Sequence, residues 1–204
     1  MEEERTVSKR QLEIQLAKLK ILETSKLGLE QYPVSPDVAA ELLYMAGFEH
    51  RDLQGETVDL GTGTGRLAIG AAMMGCTKVV GVDIDERAIA LAKENAVAAG
   101  VRVEWLVSDI HEIEGKYDTV IMNPPYGTRS PHLDIRFLER AFELAPVSYS
   151  LHKSSTRKFL KGFIAKRNRK VDGLRSMSLN IPHLFPFHHK KWENVQVDLY
   201  RIVS

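Results

Sequence analysis

Val58-Asp59-Leu60-Gly61-Thr62-Gly63-Thr64-Gly65 is the stretch on which the fold turns. A short apolar strand around Asp59 runs straight into a Gly-x-Gly-x-Gly turn, and the helical pattern Leu67, Ile69, Ala71, Ala72 follows. Strand, glycine turn, helix is how nucleotide-binding α/β folds begin, because glycine tolerates positive φ and lets backbone approach a ligand closely. The spacing departs from the Gly-x-Gly-x-x-Gly of dinucleotide sites. That departure favours S-adenosyl-L-methionine, which has no pyrophosphate to seat on a helix N-terminus.

Working outward, the strand-then-helix order repeats. Val79, Val80, Gly81 and Val82 end at Asp83, about 20 residues beyond the first glycine, where an acid can accept both ribose hydroxyls of a nucleoside. The alternative for Asp83 is to join the turn that caps the next helix, whose pattern Ala88, Ile89, Leu91, Ala92 starts after Asp85. Val101 to Val107 leads to Ser108 and Asp109. There the Asp109 carboxylate would accept from an adenine amine and the Ile110 amide would donate to the ring; a plain turn cap is the other reading. Tyr117 to Met122 ends at Asn123. Gly61, Asp83, Asp109 and Asn123 therefore fall together at the carboxyl edge of a parallel sheet, where ligands bind in open α/β folds.

The remaining elements follow from periodicity. Residues 6–29 have helical spacing at Leu12, Leu16, Leu19 and Leu22, and Asp37 to Gly47 reads as a helix opened by Ser35 as N-cap with Pro36 at N1. A helix over 133–145, a strand over 147–152 and a helix over 155–168 follow, then two alternating strands, Leu174 to Ile181 and Val195 to Val203, that pair antiparallel. The expected architecture is α/β: a doubly wound, seven-stranded, mostly parallel sheet with a C-terminal antiparallel strand pair. It forms one domain over residues 1–204, with 1–30 as a helical extension.

Asn123-Pro124-Pro125-Tyr126 carries the chemistry. An amine conjugated to a ring is a poor nucleophile, and an enzyme must hold its lone pair toward an electrophilic carbon. The Asn123 side-chain carbonyl and a prolyl carbonyl can each accept one N–H. The prolines fix φ and lack N–H, so the turn is stiff before binding, and Tyr126 offers a flat face for a base. Taken alone, the four residues also read as ordinary strand-ending turn punctuation.

Composition bounds the rest. The lone Cys76 excludes an internal disulfide and reads as core in the helix after the glycine loop, and His183, His188 and His189 lack partners for a metal site. No apolar run is long enough to span a membrane, which predicts a cytoplasmic protein. Net charge is +1, yet Leu151 to Lys191 holds eleven Lys or Arg against the single acid Asp172. Such a split predicts a face toward a polyanion, with Lys153, Arg157, Lys158, Lys190 and Lys191 on nucleic-acid phosphates. The alternative is a solvated amphipathic helix. Two-way winding puts Val101 to Val107 at a sheet edge, where Val101, Val103, Trp105 and Val107 alternate and invite a partner strand. Trp105 packed under a helix of the same chain is the competing reading.

Leu29 to Pro33 (Leu-Glu-Gln-Tyr-Pro), Asp59 to Gly65, Gly81 to Glu86, Asp118 to Gly127 and Ser150 to Arg157 (Ser-Leu-His-Lys-Ser-Ser-Thr-Arg) resemble the methyltransferase-like protein 5 family, small-subunit rRNA N6-adenosine methyltransferases. The glycine loop and Asn-Pro-Pro-Tyr are shared by many methyltransferases, whereas the first and last segments are specific. The resemblance implies a Rossmann-like class I methyltransferase fold, S-adenosyl-L-methionine as donor, ribosomal RNA as substrate and a small zinc-binding activator protein on the Val101 to Val107 edge. By position it assigns Gln31, Tyr32, Gly61, Gly63, Thr64, Gly65, Arg66, Asp83, Ile84, Asp109 and Ile110 to the cofactor and Asn123, Pro124, Pro125 and Tyr126 to catalysis. Three features depart from relatives. Val34 stands where some carry a cofactor-contacting Thr, which moves that hydroxyl contact to Ser35 or abolishes it; Thr62 and Thr64 replace cysteines; Tyr126 replaces Phe. Alternative functions are glutamine N5-methylation of a release factor and a non-catalytic RNA-binding assembly module.

Overall fold

The computed structural model describes residues 7–22, 34–125, 133–182 and 192–204. A seven-stranded sheet has the order β3-β2-β1-β4-β5-β7-β6, built from β1 (Glu56–Leu60), β2 (Lys78–Asp83), β3 (Glu104–Val107), β4 (Thr119–Met122), β5 (Val147–Lys153), β6 (Lys170–Pro182) and β7 (Trp192–Val203). The first five strands are parallel and the last two antiparallel, as their alternation requires. Among the described residues six α-helices accompany them: α1 (Lys9–Ala17), α2 (Pro36–Tyr44), α3 (Arg66–Met73), α4 (Glu86–Ala99), α5 (Leu133–Leu144) and α6 (Arg157–Lys166).

Strand alternation sends successive side chains to opposite faces. Ile121, Tyr149 and Leu151 pack with α1, α2 and α3 on one face, whereas Val120 and Met122 pack with α5 and α6 on the other. Leu60 pairs with both Val82 and Met122, and Met122 with Ser150. The carboxyl ends are thus flush, and the loops after β1, β2 and β4 emerge side by side. Among the described residues no helix is long and apolar enough to cross a membrane.

Several expectations need correction. The N-terminal helix is capped by a Ser8–Gln11 box and ends at Ala17, far short of Gly28. The reason is tertiary: the Lys20 amide donates to the Asn95 side chain at 2.9 Å and the Lys20 carbonyl accepts from it at 3.0 Å, so α4 takes the bonds that would continue the helix. β3 starts only at Glu104, and α2 ends in a widened turn over Met45–Glu49. Ser35 occupies the N-cap position before Pro36, yet its hydroxyl makes no capping bond. Cys76 lies past the end of α3 and is half-buried. The basic segment is less free than its composition implies, because Arg157 pairs with Asp198, Arg167 with Glu139, and Arg175 with Glu41 and Glu49.

β3 is the sheet edge, as two-way winding predicts. Trp105 turns inward: a Cβ on Gly81 would lie 2.4 Å from its ring and one on Gly65 2.6 Å from it. The competing reading of Trp105 as a packing residue thus holds for the side chain. Val107 remains 52% exposed at the strand's end.

Candidate functional site

A cavity of about 260 Å³ opens at the carboxyl edge of the sheet. Its walls include Asp59, Gly61 to Thr64, Arg66, Asp83, Ile84, Asp109, Ile110, Asn123, Pro124 and Pro125. The described part of the tetrad and the glycine turn therefore face one space.

The turn is shaped by its neighbours. Gly61, Gly63 and Gly65 all have positive φ, of 69°, 55° and 86°. At Gly65 the helix starts hard against Trp105, whereas a Cβ at Gly63 would meet nothing within 4 Å. Asp83 clamps the turn from the next strand: its carboxylate accepts the Gly63 amide at 2.8 Å and the Asp85 amide at 2.9 Å. Asp83 thus joins the turn, and it also lines the cavity. Burial raises its pKa even though those amides pull the other way. Asp85 caps α4 by accepting the Arg87 amide. From the other side Asn95 donates to the Thr64 carbonyl at 2.9 Å.

Asp59 was not legible as a site residue. One carboxylate oxygen accepts from the Thr62 hydroxyl at 2.6 Å and the Ala68 amide at 3.0 Å; the other is buried without a partner. Burial pushes its pKa up to about 7, against those two hydrogen bonds and with a further push from Asp83. Nearby, the Arg66 guanidinium donates to the Val34 carbonyl, its Nε is buried without a partner, and burial lowers its pKa. An acid and a cation, each with an unspent buried atom on one cavity wall, match the ammonium and carboxylate of an amino acid. The Ser35 hydroxyl, beside Val34, is likewise buried and unpartnered.

At the other end, Asp109 accepts the His111 amide at 2.9 Å and caps a turn of 3-10 helix over Ile110–Glu112. Its cap role and its place on the cavity wall coexist. Ile84, on the cavity wall, is 59% exposed. Gln31, Tyr32, Tyr126, Lys190 and Lys191 lie outside the described residues, as do His183, His188 and His189; no metal-binding cluster exists among the described ones.

On the β5 side, Ser150-Leu151-His152-Lys153-Ser154-Ser155-Thr156-Arg157 is a built polar segment. His152, 2% exposed, bonds Ser150 at 2.7 Å and lies 3.6 Å from the Asp134 carboxylate. The buried Asp198 carboxylate accepts from Arg157 at 2.6 Å and from Ser154 at 2.7 Å. Arg157 also bonds Ser176. Nε and one terminal nitrogen of the guanidinium are thus bonded inside the protein. Lys158, next to it, is exposed.

Fold and cleft together define a methyltransferase that uses S-adenosyl-L-methionine, and the Methyltransferase small domain family model matches residues 34–147. The chain is 36% identical over 200 residues to the zebrafish (Danio rerio) rRNA N(6)-adenosine-methyltransferase METTL5, covering 94% of this chain and 97% of that protein. The Drosophila melanogaster protein of the same description is 34% identical over 201 residues, 94% of each chain. A crystal structure from Pyrococcus horikoshii, described as a candidate RNA methyltransferase, superimposes with a TM-score of 0.89 at 36% identity, covering 96% of this chain and 97% of that one. The chain belongs to the METTL5 family of rRNA N6-adenosine methyltransferases.

Proposed function

We propose that the chain methylates N6 of an adenosine in small-subunit ribosomal RNA, with the target base turned out of its helix or loop into the cavity. The observation that carries the reading is the shared wall: Asn123, Pro124 and Pro125 line the same space as Gly61 to Thr64, Asp59 and Asp83. S-adenosyl-L-methionine supplies the electrophilic methyl carbon when bound. Asp59 meets its ammonium, Arg66 its carboxylate, Asp83 its ribose hydroxyls, and Asp109 with the Ile110 amide its adenine, while Ile84 covers the ring. Gln31, Tyr32 and the Ser35 hydroxyl complete that shell.

Asn123 and a prolyl carbonyl each accept one N–H of the target amine and aim its lone pair at the methyl carbon. Tyr126 stacks on the base, a contact of roughly 1–3 kcal/mol. No strong base is required, because the amine becomes acidic on methylation and releases its proton afterwards. Lys153, Lys158, Lys190 and Lys191 meet RNA phosphates, and affinity falls steeply with salt. The small zinc-binding activator pairs along the free edge of β3, where Val107 is exposed.

The test is methyl transfer from labelled donor to small-subunit rRNA, with nucleosides resolved by mass spectrometry. The reading expects N6-methyladenosine at one position, formed roughly two to three orders of magnitude more slowly by Asn123→Ala. Label in protein, or in another nucleoside, overturns it.

A further inference from the structure

The outward face of α6 carries an unexplained glycine. Leu160 and Ile164 bury the inner face of this helix, and Lys158, Phe159, Gly162, Ala165 and Lys166 are exposed on the opposite side. Glycine inside a helix costs stability relative to alanine and is normally retained for close packing. Gly70 in α3 has such a reason, since a Cβ there would lie 2.2 Å from Leu43. At Gly162 a Cβ would meet nothing within 4 Å. Among the described residues, no part of the chain uses the bare backbone.

The surroundings say what does. Residues 157–171 hold seven Lys or Arg and no acid. Arg157 and Arg167 are spent on Asp198 and Glu139, whereas Lys158 and Lys166 carry no ion pair among the described residues. Those two lysines stand one turn either side of Gly162, about 12 Å apart along the helix. Phe159 is 55% exposed beside them, its ring 6.2 Å from that of Phe163, which is itself covered by the Arg167 guanidinium at 3.5 Å. A smooth saddle between two free cations, with an aromatic face at its rim, is complementary to a polyanion that carries bases. Three residues separate the helix from the end of β5, whose Ser150 pairs with Met122 just before Asn123. Its first turn therefore starts from the carboxyl edge of the sheet, the edge that carries the cavity.

We infer that the Lys158, Phe159, Gly162, Lys166 face of α6 is the docking surface for the RNA strand flanking the target adenosine. The sugar–phosphate backbone crosses at Gly162, Lys158 and Lys166 take phosphates on either side, and Phe159 stacks on an unpaired base. This rests on the rRNA reading above and locates the RNA on it.

The decisive variant is Gly162→Gln, which lengthens the side chain and improves helix propensity. With the full chain and in vitro transcribed small-subunit rRNA, it should raise the melting temperature by about 2 °C and leave S-adenosyl-L-methionine affinity by calorimetry unchanged. Its rRNA affinity by anisotropy should fall about tenfold, as when an added side chain holds a partner off. Lys158→Gln with Lys166→Gln should flatten the logarithmic salt dependence by roughly 1.4 to 1.8, the loss of two phosphate contacts. Wild-type rRNA affinity and salt slope in both variants overturn the surface while leaving the methyltransferase reading intact. Failure of the unaltered chain to bind or methylate rRNA overturns both. A loss of affinity confined to other polyanions, with rRNA unaffected, also sinks the inference.

Discussion

In the proposed site, donor binding follows the titration of Asp59. In the ligand-free chain its pKa stands at about 7, held up by burial, and one oxygen has no partner. If that oxygen meets the donor's ammonium, binding requires the ionised carboxylate and releases a proton below pH 7. About one-tenth of Asp59 is ionised at pH 6 and about three-quarters at pH 7.5; with the donor's ammonium partly lost at pH 7.5, affinity should rise about five- to sixfold between them. Above about pH 8 the gain ends, because an α-amino group itself loses its charge there. Asp59→Asn should abolish the rise and weaken binding at pH 7.5 by about 1.5–3 kcal/mol, the range for a hydrogen bond to a charged group. The assay is calorimetry of S-adenosyl-L-methionine in buffers of different ionisation enthalpy, which counts protons directly. Close to one proton released per donor at pH 6 is the expected result. Constant affinity from pH 6 to 7.5 with no proton exchange would refute the assignment. The sign for stability is opposite. A pKa raised above the unfolded value stabilises the ligand-free fold below about pH 4, and that contribution is lost as pH climbs through 7.

The Asp198 carboxylate behaves in the reverse sense: burial alone would raise its pKa, but Arg157, Ser154 and Ser176 together hold it below the usual range. Its contribution is present above about pH 4 and lost as pH falls further, and Asp198→Ala should lower stability in urea unfolding by about 1–3 kcal/mol, because it takes the acceptor from the Ser154 and Ser176 hydroxyls. Gly65→Ala places a Cβ at positive φ and 2.6 Å from the Trp105 ring; a loss of about 1–3 kcal/mol in thermal unfolding is expected, and an unchanged melting temperature would contradict the packing described.

Much of this was legible because the signals are local. Gly61 to Gly65 declare a positive-φ turn, and four strands ending at Gly61, Asp83, Asp109 and Asn123 declare the edge on which the ligand sits. What was hidden depends on distant partners. Asp59 reads as a break in an apolar strand, and only the folded sheet shows that it lines the cavity with one oxygen buried and unpartnered. Lys20 leaves the helical path because Asn95, far along the chain, takes its backbone groups. Arg157 counts as a free cation in the composition, but Asp198 on β7 claims it. Periodicity cannot see a bond between elements that meet only in the folded sheet.

Asn123 carries the proposed mechanism, in which it joins the turn after β4 to the methyl-accepting amine. The direct measurement is single-turnover methyl transfer to small-subunit rRNA by Asn123→Ala, beside its donor affinity. Donor binding should be retained while the rate of N6-methyladenosine formation falls roughly two to three orders of magnitude, as when an oxyanion-hole donor is removed. A variant that methylates adenosine at close to the wild-type rate would contradict the mechanism.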